Sequence, residues 1–269
     1  SSWTYTLLDF DISNLSRLQT LSIGSLAINS LDLSSNSELT NVTLKYKALD
    51  SQMIDFSNNA KIEIMTFGVT NLNMPDVNLS ALPALKRLIW NADVNLLDVS
   101  QNANLEMLSV RYSDTPHVNL PSGVKELSLM SFVGTSIDLS NCTLLQSLDI
   151  STAKNLKSID LPRSSSLTSV SISASITTLN TSAATALSSL TIGSSSIKTL
   201  DLSANTALTN LNCYNNTSLA GVLDLAQNTN LKSVRVATCP AVSEVLLPQS
   251  IEGSVSASID AAIKITYVP

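Results

Sequence analysis

The chain has 269 residues and a formal net charge of −6; 44% of its residues are hydrophobic, 13% are charged and 4% are aromatic, so its polar surface rests on 45 Ser, 24 Thr and 24 Asn. The acidic balance argues against binding to nucleic acid or to anionic membranes, because phosphate contacts need clustered Lys and Arg. No run approaches the ~18 apolar residues of a membrane-spanning segment. The single His and the three dispersed Cys argue against a zinc site. The 43 Leu exclude a disordered chain.

A tripeptide of the form [LIV]-[DN]-[LVF] recurs along the chain. Its twelve copies, two of them degenerate, have a mean period of 21.5 residues and individual spacings of 19 to 23. The copies begin at Leu8, Leu31, Ile54, Val77, Leu97, Val118, Ile137, Ile159, Leu179, Leu200, Leu223 and Val245. A fixed period of this length is typical of solenoids, in which stacked coils bury one another's apolar edges. We therefore expect about twelve stacked coils of 21–22 residues.

A second element, L-x-x-L-x-[LIV], lies between the tripeptides. Its copies begin at Leu18, Leu39, Leu85, Leu105, Leu145, Leu167, Leu187, Leu208 and Leu231. Each period thus holds two short segments whose apolar residues alternate, which predicts two strands with one buried face each. Turn-forming Ser, Asn, Ala and Pro separate them, and no segment has a sustained 3.6-residue apolar pattern. The prediction is a mostly β fold with little helix.

Two successive stretches match one longer consensus. Ile197-x-x-Leu200-x-Leu202-x-x-Asn205 and Leu208-x-x-Leu211-x-Cys213-x-x-Asn216 both resemble the leucine-rich repeat. The stretch 205–216 is similar to bacterial surface leucine-rich repeats of the internalin-like kind, and the pairs Leu161-Pro162 and Leu247-Pro248 are similar to BspA-like repeats. The final Asn of the motif is often replaced by Ser, Ala, Thr or Lys, so we expect an incomplete asparagine ladder.

The resemblance implies a leucine-rich-repeat solenoid and a function. It implies a non-enzymatic protein-binding or adhesion module of a bacterial cell-surface or secreted protein, which binds its partner along a face lined by strands. The localisation it implies is extracellular or on the cell surface. The alternatives are a module that binds glycans or mucins, and a structural spacer for another domain.

The chain shows no linker and no break in composition, so we expect a single domain over 1–269. Its ends need caps, which we place at 1–17 and 251–269. The predicted cap residues are Trp3, Tyr5 and Phe10 at the first end, and Ile263, Ile265 and Tyr267, as a covering strand, at the other. Between them, Cys142, Cys213 and Cys239 form an odd set without C-x-x-C spacing, and we interpret all three as reduced packing residues.

The middle residues of the tripeptides form one column of the solenoid. They are Asp9, Asp32, Asp55, Asn78, Asp98, Asn119, Asp138, Asp160, Asn180, Asp201, Asp224 and Leu246. Carboxylates about 5 Å apart repel one another, so the column needs compensation. Either each Asp accepts hydrogen bonds from the following turn, or the column binds calcium. Calcium loops usually combine several carboxylates with a Gly, which is absent here; we therefore favour the hydrogen bonds and expect no metal and no cofactor.

A second outward column lies between the last two apolar residues of L-x-x-L-x-[LIV]. It comprises Ser22, Thr43, Thr66, Ile89, Ser109, Ser128, Asp149, Ser171, Thr191, Asn212 and Arg235. Most of these side chains are small, but larger ones accompany the column in the first half of the chain. The predicted partner-binding patch comprises Lys45, Tyr46, Arg87, Ile89, Arg111 and Tyr112, because Tyr and Arg are favoured at interfaces. The alternative is that Trp90 is core and that the cations only keep the protein soluble.

Catalytic motifs are not evident in the sequence. His117, the single histidine, lies in a predicted turn after Asp114, and no G-x-S-x-G elbow, phosphate loop or Rossmann glycine pattern occurs. The sequence therefore predicts no enzyme. The expected partner is a protein or a glycan, with no nucleic acid and no membrane-spanning segment.

Overall fold

The computed structural model describes residues 11–28, 31–48, 54–69 and 77–269, with the side chains of 25–28 and 46–48 excepted. The chain forms two compact units, 1–124 and 125–269. Each is a parallel β-solenoid with about 21 residues per turn, and the two together have about 11 turns. The expectation of a mostly β solenoid is confirmed, with about one turn fewer than the twelve predicted. The single-domain expectation for 1–269 stays a prediction.

The first unit contains two parallel sheets. The larger has the order β1-β2-β3-β4-β6, and the smaller pairs β5 with β7. The strands are β1 (Thr20–Ile28), β2 (Asn41–Ala48), β3 (Ile64–Phe67), β4 (Arg87–Trp90), β5 (Leu96–Asp98), β6 (Met107–Arg111) and β7 (His117–Asn119).

The second unit repeats this arrangement. Its largest sheet has the order β8-β9-β11-β13-β14-β16-β18, and smaller parallel sheets pair β10 with β12 and join β15-β17-β19. The strands are β8 (Glu126–Met130), β9 (Ser147–Ser151), β10 (Ser158–Asp160), β11 (Ser169–Ser173), β12 (Thr178–Asn180), β13 (Ser189–Gly193), β14 (Asn210–Tyr214), β15 (Gly221–Asp224), β16 (Ser233–Ala237), β17 (Val242–Pro248), β18 (Ser256–Ile259) and β19 (Lys264–Val268).

The L-x-x-L-x-[LIV] copies form the large sheets because their alternating apolar residues all point to one side. In β9, for example, Leu148 and Ile150 are buried while the residues beside them are half-buried. The tripeptides form the smaller ladders in only six of their described copies. The one helix in the described residues is a single 3₁₀ turn, Gln249–Ile251, and none there is long and apolar enough to cross a bilayer.

The column of tripeptide middle residues is held by turns of the Asx type. In nine described copies the side-chain oxygen of an Asp or Asn accepts the N–H two residues later, over 2.8–3.1 Å. The bond is absent after Asn119, Asp160 and Leu246, where the residue two positions on is Pro121, Pro162 and Pro248. Proline has no N–H to donate. The hydrogen-bonded interpretation of this column is confirmed.

The first copy of that column has a different register from the predicted one. Asp11 accepts the N–H of Ser13 at 2.9 Å, and it precedes Asp32 by 21 residues. The first turn of this kind is therefore centred on Asp11. Asp9, the predicted member, lies outside the described residues, as do the predicted cap residues Trp3, Tyr5 and Phe10.

Buried asparagines tie successive coils together three residues after the tripeptide's last apolar position. The side-chain amide of Asn102 donates to the carbonyls of Leu79 and Leu82 at 2.9 and 3.0 Å. Equivalent pairs of bonds come from Asn36, Asn59, Asn205 and Asn228. Other coils have Leu82, Cys142, Ser164 or Ala184 at this position. The ladder is incomplete, as expected.

Aromatic side chains fill the core of the first unit. Phe67 stacks on Trp90 with ring centroids 4.6 Å apart, and Phe56 meets Phe67 edge-on at 6.5 Å. The indole N–H of Trp90 donates to the carbonyl of Ala92 at 2.7 Å. Trp90 is fully buried, so it belongs to the core.

The cysteines and the last residues mostly match their predictions. Cys142, Cys213 and Cys239 are free and buried, and burial raises the pKa of Cys142 to about 11. At the chain's end, β19 pairs with β17. Of the three residues predicted for a covering strand, Ile263, directly before β19, is buried, Tyr267 is half-buried and Ile265 is 41% exposed.

Candidate functional site

The outward side of the first unit's large sheet is its strand face. Its described positions form three columns in register, two residues apart along each strand. They are Thr20, Asn41, Ile64, Arg87 and Met107; Ser22, Thr43, Thr66, Ile89 and Ser109; and Gly24, Lys45, Gly68, Asn91 and Arg111. The middle column is the one that the sequence predicted, which confirms its register in this unit.

Three apolar side chains flank Arg87 on this strand face. Ile64 and Met107 lie on either side of Arg87, one strand away each, and Ile89 follows Arg87 by two residues on the same strand. Ile64 is 43% exposed, and Ile89 and Met107 are half-buried. The β-propensity of the two isoleucines suits a pleated sheet surface, but burial in the core does not account for them, since the inward positions are Met65 and Leu88.

Two cations lie three strands apart in the third column. Lys45 and Arg111 are separated by the strands of Gly68 and Asn91, and Gly68 packs against the Lys45 side chain. Three strand steps place the two cations about 14 Å apart. The Nε of Arg111 donates to Ser109 Oγ at 2.8 Å, which orients its guanidinium while both terminal nitrogens stay unpaired within the described residues.

Arg87 and Tyr112 complete the group. The Arg87 side chain is exposed and makes no hydrogen bond or ion pair with any residue that the structure describes. Tyr112, the first residue after β6, is 74% exposed and has a φ of 50°. The same position after five strands of the second unit also has positive φ, at Ser131, Thr152, Ser194, Asn215 and Thr238. A left-handed turn at the strand end is thus a feature of the repeat, and in this coil it presents a tyrosine.

Charge is segregated within the first unit. Its sequence holds seven Lys or Arg and twelve Asp or Glu, a net charge of −5. The fifteen described positions of the strand face hold three of the cations and none of the acids. The acidic Glu63 precedes β3 and is paired at 3.0 Å with Lys86, while the Asp column lies in the turns. The strand face is therefore positive on a negative unit.

The structure brings five of the six predicted patch residues together. Lys45, Arg87, Ile89, Arg111 and Tyr112 lie on the strand face or at its edge, whereas the side chain of Tyr46 lies outside the described residues. Ile64 and Met107 were not part of the predicted patch. Their signal is their spacing: each lies two residues before a member of the predicted column. We call Lys45, Ile64, Arg87, Ile89, Met107, Arg111 and Tyr112 the basic–apolar patch.

The second unit has a smaller aromatic cluster that sequence reasoning missed. The Tyr214 ring lies across Gly193 on the neighbouring strand, where an added Cβ would come within 2.2 Å of the ring. Arg235 lies 5.8 Å from the ring centroid and donates to Asn212 Oδ1 at 3.1 Å. A glycine followed one period later by an aromatic residue is the signal that could have revealed it. The positions around it are largely Ser and Thr.

The histidine shows no catalytic arrangement. His117 is the exposed first residue of β7, rather than part of a turn, and its register partner is Leu96. The backbone N–H of Asp114 donates to Asp93 Oδ1 at 2.7 Å. Among the described residues, no group of three or more His, Cys, Asp or Glu side chains could hold a metal ion.

Comparisons with known proteins place this architecture. No family model matches the chain, and a search of the curated proteins finds no match. Solved structures do match. An internalin of Listeria monocytogenes (InlF) has a TM-score of 0.55 at 19% identity, over 93% of this chain and 82% of its own. A Leptospira interrogans leucine-rich-repeat protein has a TM-score of 0.54 at 14% identity, over 96% of this chain and 80% of its own.

A structure from Drosophila shows the same likeness. Toll of Drosophila, solved in complex with Spätzle, has a TM-score of 0.54 at 14% identity, over 94% of this chain and 35% of its own. The fold is a leucine-rich-repeat solenoid. At these identities the likeness shows the fold alone, so function has to be argued from the surface described above.

Proposed function

We propose that this leucine-rich-repeat solenoid is a non-enzymatic protein-binding module whose partner lies on the strand face of the first unit. The observation that supports it is the basic–apolar patch, which combines three exposed or half-buried apolar side chains with cations and an exposed tyrosine. Leucine-rich-repeat proteins generally bind partners on the face formed by their strands. The likeness to an internalin is consistent with an adhesion role at the surface of a bacterial cell or in a secreted protein, which belongs to this proposal.

Binding energy favours this location over the Ser- and Thr-lined face of the second unit. Association has to offset several kcal/mol of lost rigid-body freedom, and aromatic or Arg anchors typically contribute about 2 kcal/mol or more each. Ser171 and Thr191 offer hydroxyl groups without such an anchor. Arg87 and Tyr112 are free to reach a partner, since neither has a polar partner among the described residues.

The proposal is tested by screening the immobilised chain against purified extracellular proteins and a glycan array. Each protein hit is measured again with Arg87→Ala/Ile89→Ala/Tyr112→Ala and with the matched control Ser171→Ala/Thr191→Ala. We expect the first variant to weaken binding by a factor of about 100 or more and the control to leave it unchanged. Equal loss in both variants, or loss only in the control, rejects this location. Binding that needs neither set would also reject this location, and the absence of any protein or glycan hit would favour a spacer role.

Tyr214 supports a glycan-binding module as the second candidate. Its ring lies flat over Gly193, beside the Arg235 guanidinium and several hydroxyls. Sites that bind sugars commonly combine an aromatic ring, on which the sugar stacks, with groups that form hydrogen bonds to it. Gly193→Ala would displace the ring, because the new Cβ would overlap it. A glycan hit that is lost in both Gly193→Ala and Tyr214→Ala, and retained in the first-unit triple variant, would favour this candidate.

A further inference from the structure

We propose that the partner segment bound by the basic–apolar patch is an acidic polypeptide that carries an aliphatic or aromatic side chain between its carboxylates. This inference rests on the proposed function and adds the chemistry of the partner. It comes from two observations: the strand face is positive on a unit of net charge −5, and its cations lie at both edges of that face, with the apolar Ile89 at the centre between them.

The cations are placed to meet carboxylates on both sides of that centre. Lys45 and Arg111 stand about 14 Å apart at one edge of the strand face, and Arg87 stands at the opposite edge, four residues along the strand. An extended peptide of about five residues spans that distance. A single anionic group cannot contact all three cations, whereas acids spaced along a polypeptide can.

Arg111 is prepared for a carboxylate. Its Nε is already bonded to Ser109 Oγ, so the guanidinium plane is fixed while two terminal nitrogens remain to form a forked pair with a carboxylate. Arg87 has no carboxylate partner among the described residues, although the unit has an excess of acids. In contrast, Lys61 and Lys86, which lie off the strand face, are paired with Glu38 and Glu63.

The apolar side chains of the patch distinguish a polypeptide from a sulfated glycan. Ile64, Ile89 and Met107 are aliphatic, and none of the three has a ring that could stack on a sugar. Burying this surface is favourable by about 25 cal/mol per Å² of apolar area, which a leucine or phenylalanine of the partner supplies and a sulfated sugar does not. Tyr112, exposed at the rim beside Arg111, adds contact area for such a side chain.

The test selects displayed random peptides on the full chain and measures the recovered peptides against defined variants. Arg87→Glu/Arg111→Glu reverses the face charge, and Lys154→Glu/Lys157→Glu makes the same change in net charge on exposed positions of the second unit, away from its large sheet. Ile89→Ser/Tyr112→Ala removes apolar contacts without altering charge. Circular dichroism confirms that each variant is folded, and immobilised heparin serves as the sulfated-glycan probe.

We expect the selected peptides to be rich in Asp and Glu around an apolar residue. Their affinity should fall at least tenfold in Arg87→Glu/Arg111→Glu and in Ile89→Ser/Tyr112→Ala, remain unchanged in the Lys154/Lys157 variant, and weaken with rising salt. Peptides without an excess of acids that still need Ile89 and Tyr112 would overturn the acidic partner and leave the proposed function standing. Peptides indifferent to every patch variant would overturn both. Heparin binding that needs Arg87 and Arg111, without acidic peptides, would overturn the polypeptide partner.

Discussion

The Asp138 carboxylate accepts the backbone N–H of Ser140 at 2.9 Å, and hydrogen bonds from the Ser140 hydroxyl and from this N–H lower the pKa of Asp138. One coil later, Asp160 occupies the same repeat position but is followed by Pro162, which has no N–H. The two aspartates are therefore a natural pair for measuring what the turn bond contributes to stability.

We expect Asp138→Ala to lower the free energy of unfolding by about 1 kcal/mol, because it removes a hydrogen bond to a charged acceptor near the surface. Asp160→Ala should change it by less than about 0.5 kcal/mol. Urea denaturation of both variants beside the parent chain measures the difference. Equal destabilisation by the two substitutions would mean that the column contributes through something other than the turn bond.

Chelators should leave the melting temperature unchanged. The oxygens that a calcium ladder would need are engaged by the turn N–H groups in Asp32, Asp138 and Asp201, and calcium prefers six to eight oxygen ligands. Differential scanning calorimetry with and without EDTA checks this. A fall of many degrees on chelation, reversed by added calcium, would establish a calcium ladder instead.

Stability should fall in acid through these same aspartates. The turn bonds lower the pKa of Asp32, Asp138 and Asp201 below the ordinary value of 3.8. A carboxyl whose pKa is lower in the folded state stabilises that state above the unfolded pKa, and the contribution is lost as pH falls through the folded pKa. The loss is therefore expected below about pH 4. The bonds to Asn78 and Asn180 show that a neutral amide forms the same turn.

The triple substitution Asp32→Asn/Asp138→Asn/Asp201→Asn should therefore keep the turns and reduce the sensitivity to acid. Urea midpoints at pH 6 and pH 3 measure it: the parent's midpoint should fall more than the variant's. A variant that loses as much stability as the parent between the two values would assign acid unfolding to other carboxyls.

The repeat made the strand face predictable from sequence. Once the period was known, Thr66, Ile89 and Ser109 had to be neighbours, because each occupies the same place in its coil, and the pairing places them so. Ile64 was missed for a local reason: its coil lacks a recognisable L-x-x-L-x-[LIV] copy, with Ile62 and Met65 at the leucine positions.

Other features depend on three-dimensional geometry that no spacing encodes. The left-handed backbone of Tyr112 belongs to a turn in which equivalent positions are Ser, Thr and Asn, so residue type did not reveal it. The period aligns Gly193 with Tyr214, but it does not encode the direction in which the tyrosine side chain lies across the strand. Asp9 was predicted because Leu8-Asp9-Phe10 matches the tripeptide, whereas the turn bond belongs to Asp11 in Phe10-Asp11-Ile12, which does not match it.

The asparagine ladder should contribute more per residue than the aspartate column. Asn102 is fully buried and donates two bonds to the preceding coil. Asn102→Leu should cost about 1–2 kcal/mol, because Leu82 shows that the position admits a leucine but the two bonds are lost. Asn102→Ala should cost about 3 kcal/mol, since it also leaves a cavity.

Asn104→Ala serves as the control for that series. Asn104 is exposed and donates one bond, to the Pro83 carbonyl at 2.8 Å, so its loss should cost less than about 1 kcal/mol. Thermal and urea unfolding of the three variants measure the order. If Asn104→Ala were as destabilising as Asn102→Leu, burial of the ladder would not be the source of its contribution.

Tyr112 should lower the stability of the fold and strengthen binding. A left-handed backbone costs a non-glycine residue about 1–2 kcal/mol, and Asn adopts it more readily than Tyr. Because Tyr112 is 74% exposed, its replacement removes little packing. We therefore expect Tyr112→Asn to raise the melting temperature by roughly 2–4 °C while weakening the affinity for the selected acidic peptides at least tenfold.

The reciprocal change checks the cause. Asn215 has a φ of 53° at the same position after β14, and Asn215→Tyr should lower the melting temperature by a similar amount without affecting peptide binding at the first unit. Calorimetry and fluorescence anisotropy of both variants give the two readouts. If Tyr112→Asn lowered the melting temperature and left peptide affinity intact, Tyr112 would be a packing residue, and the rim of the basic–apolar patch would lose its aromatic anchor.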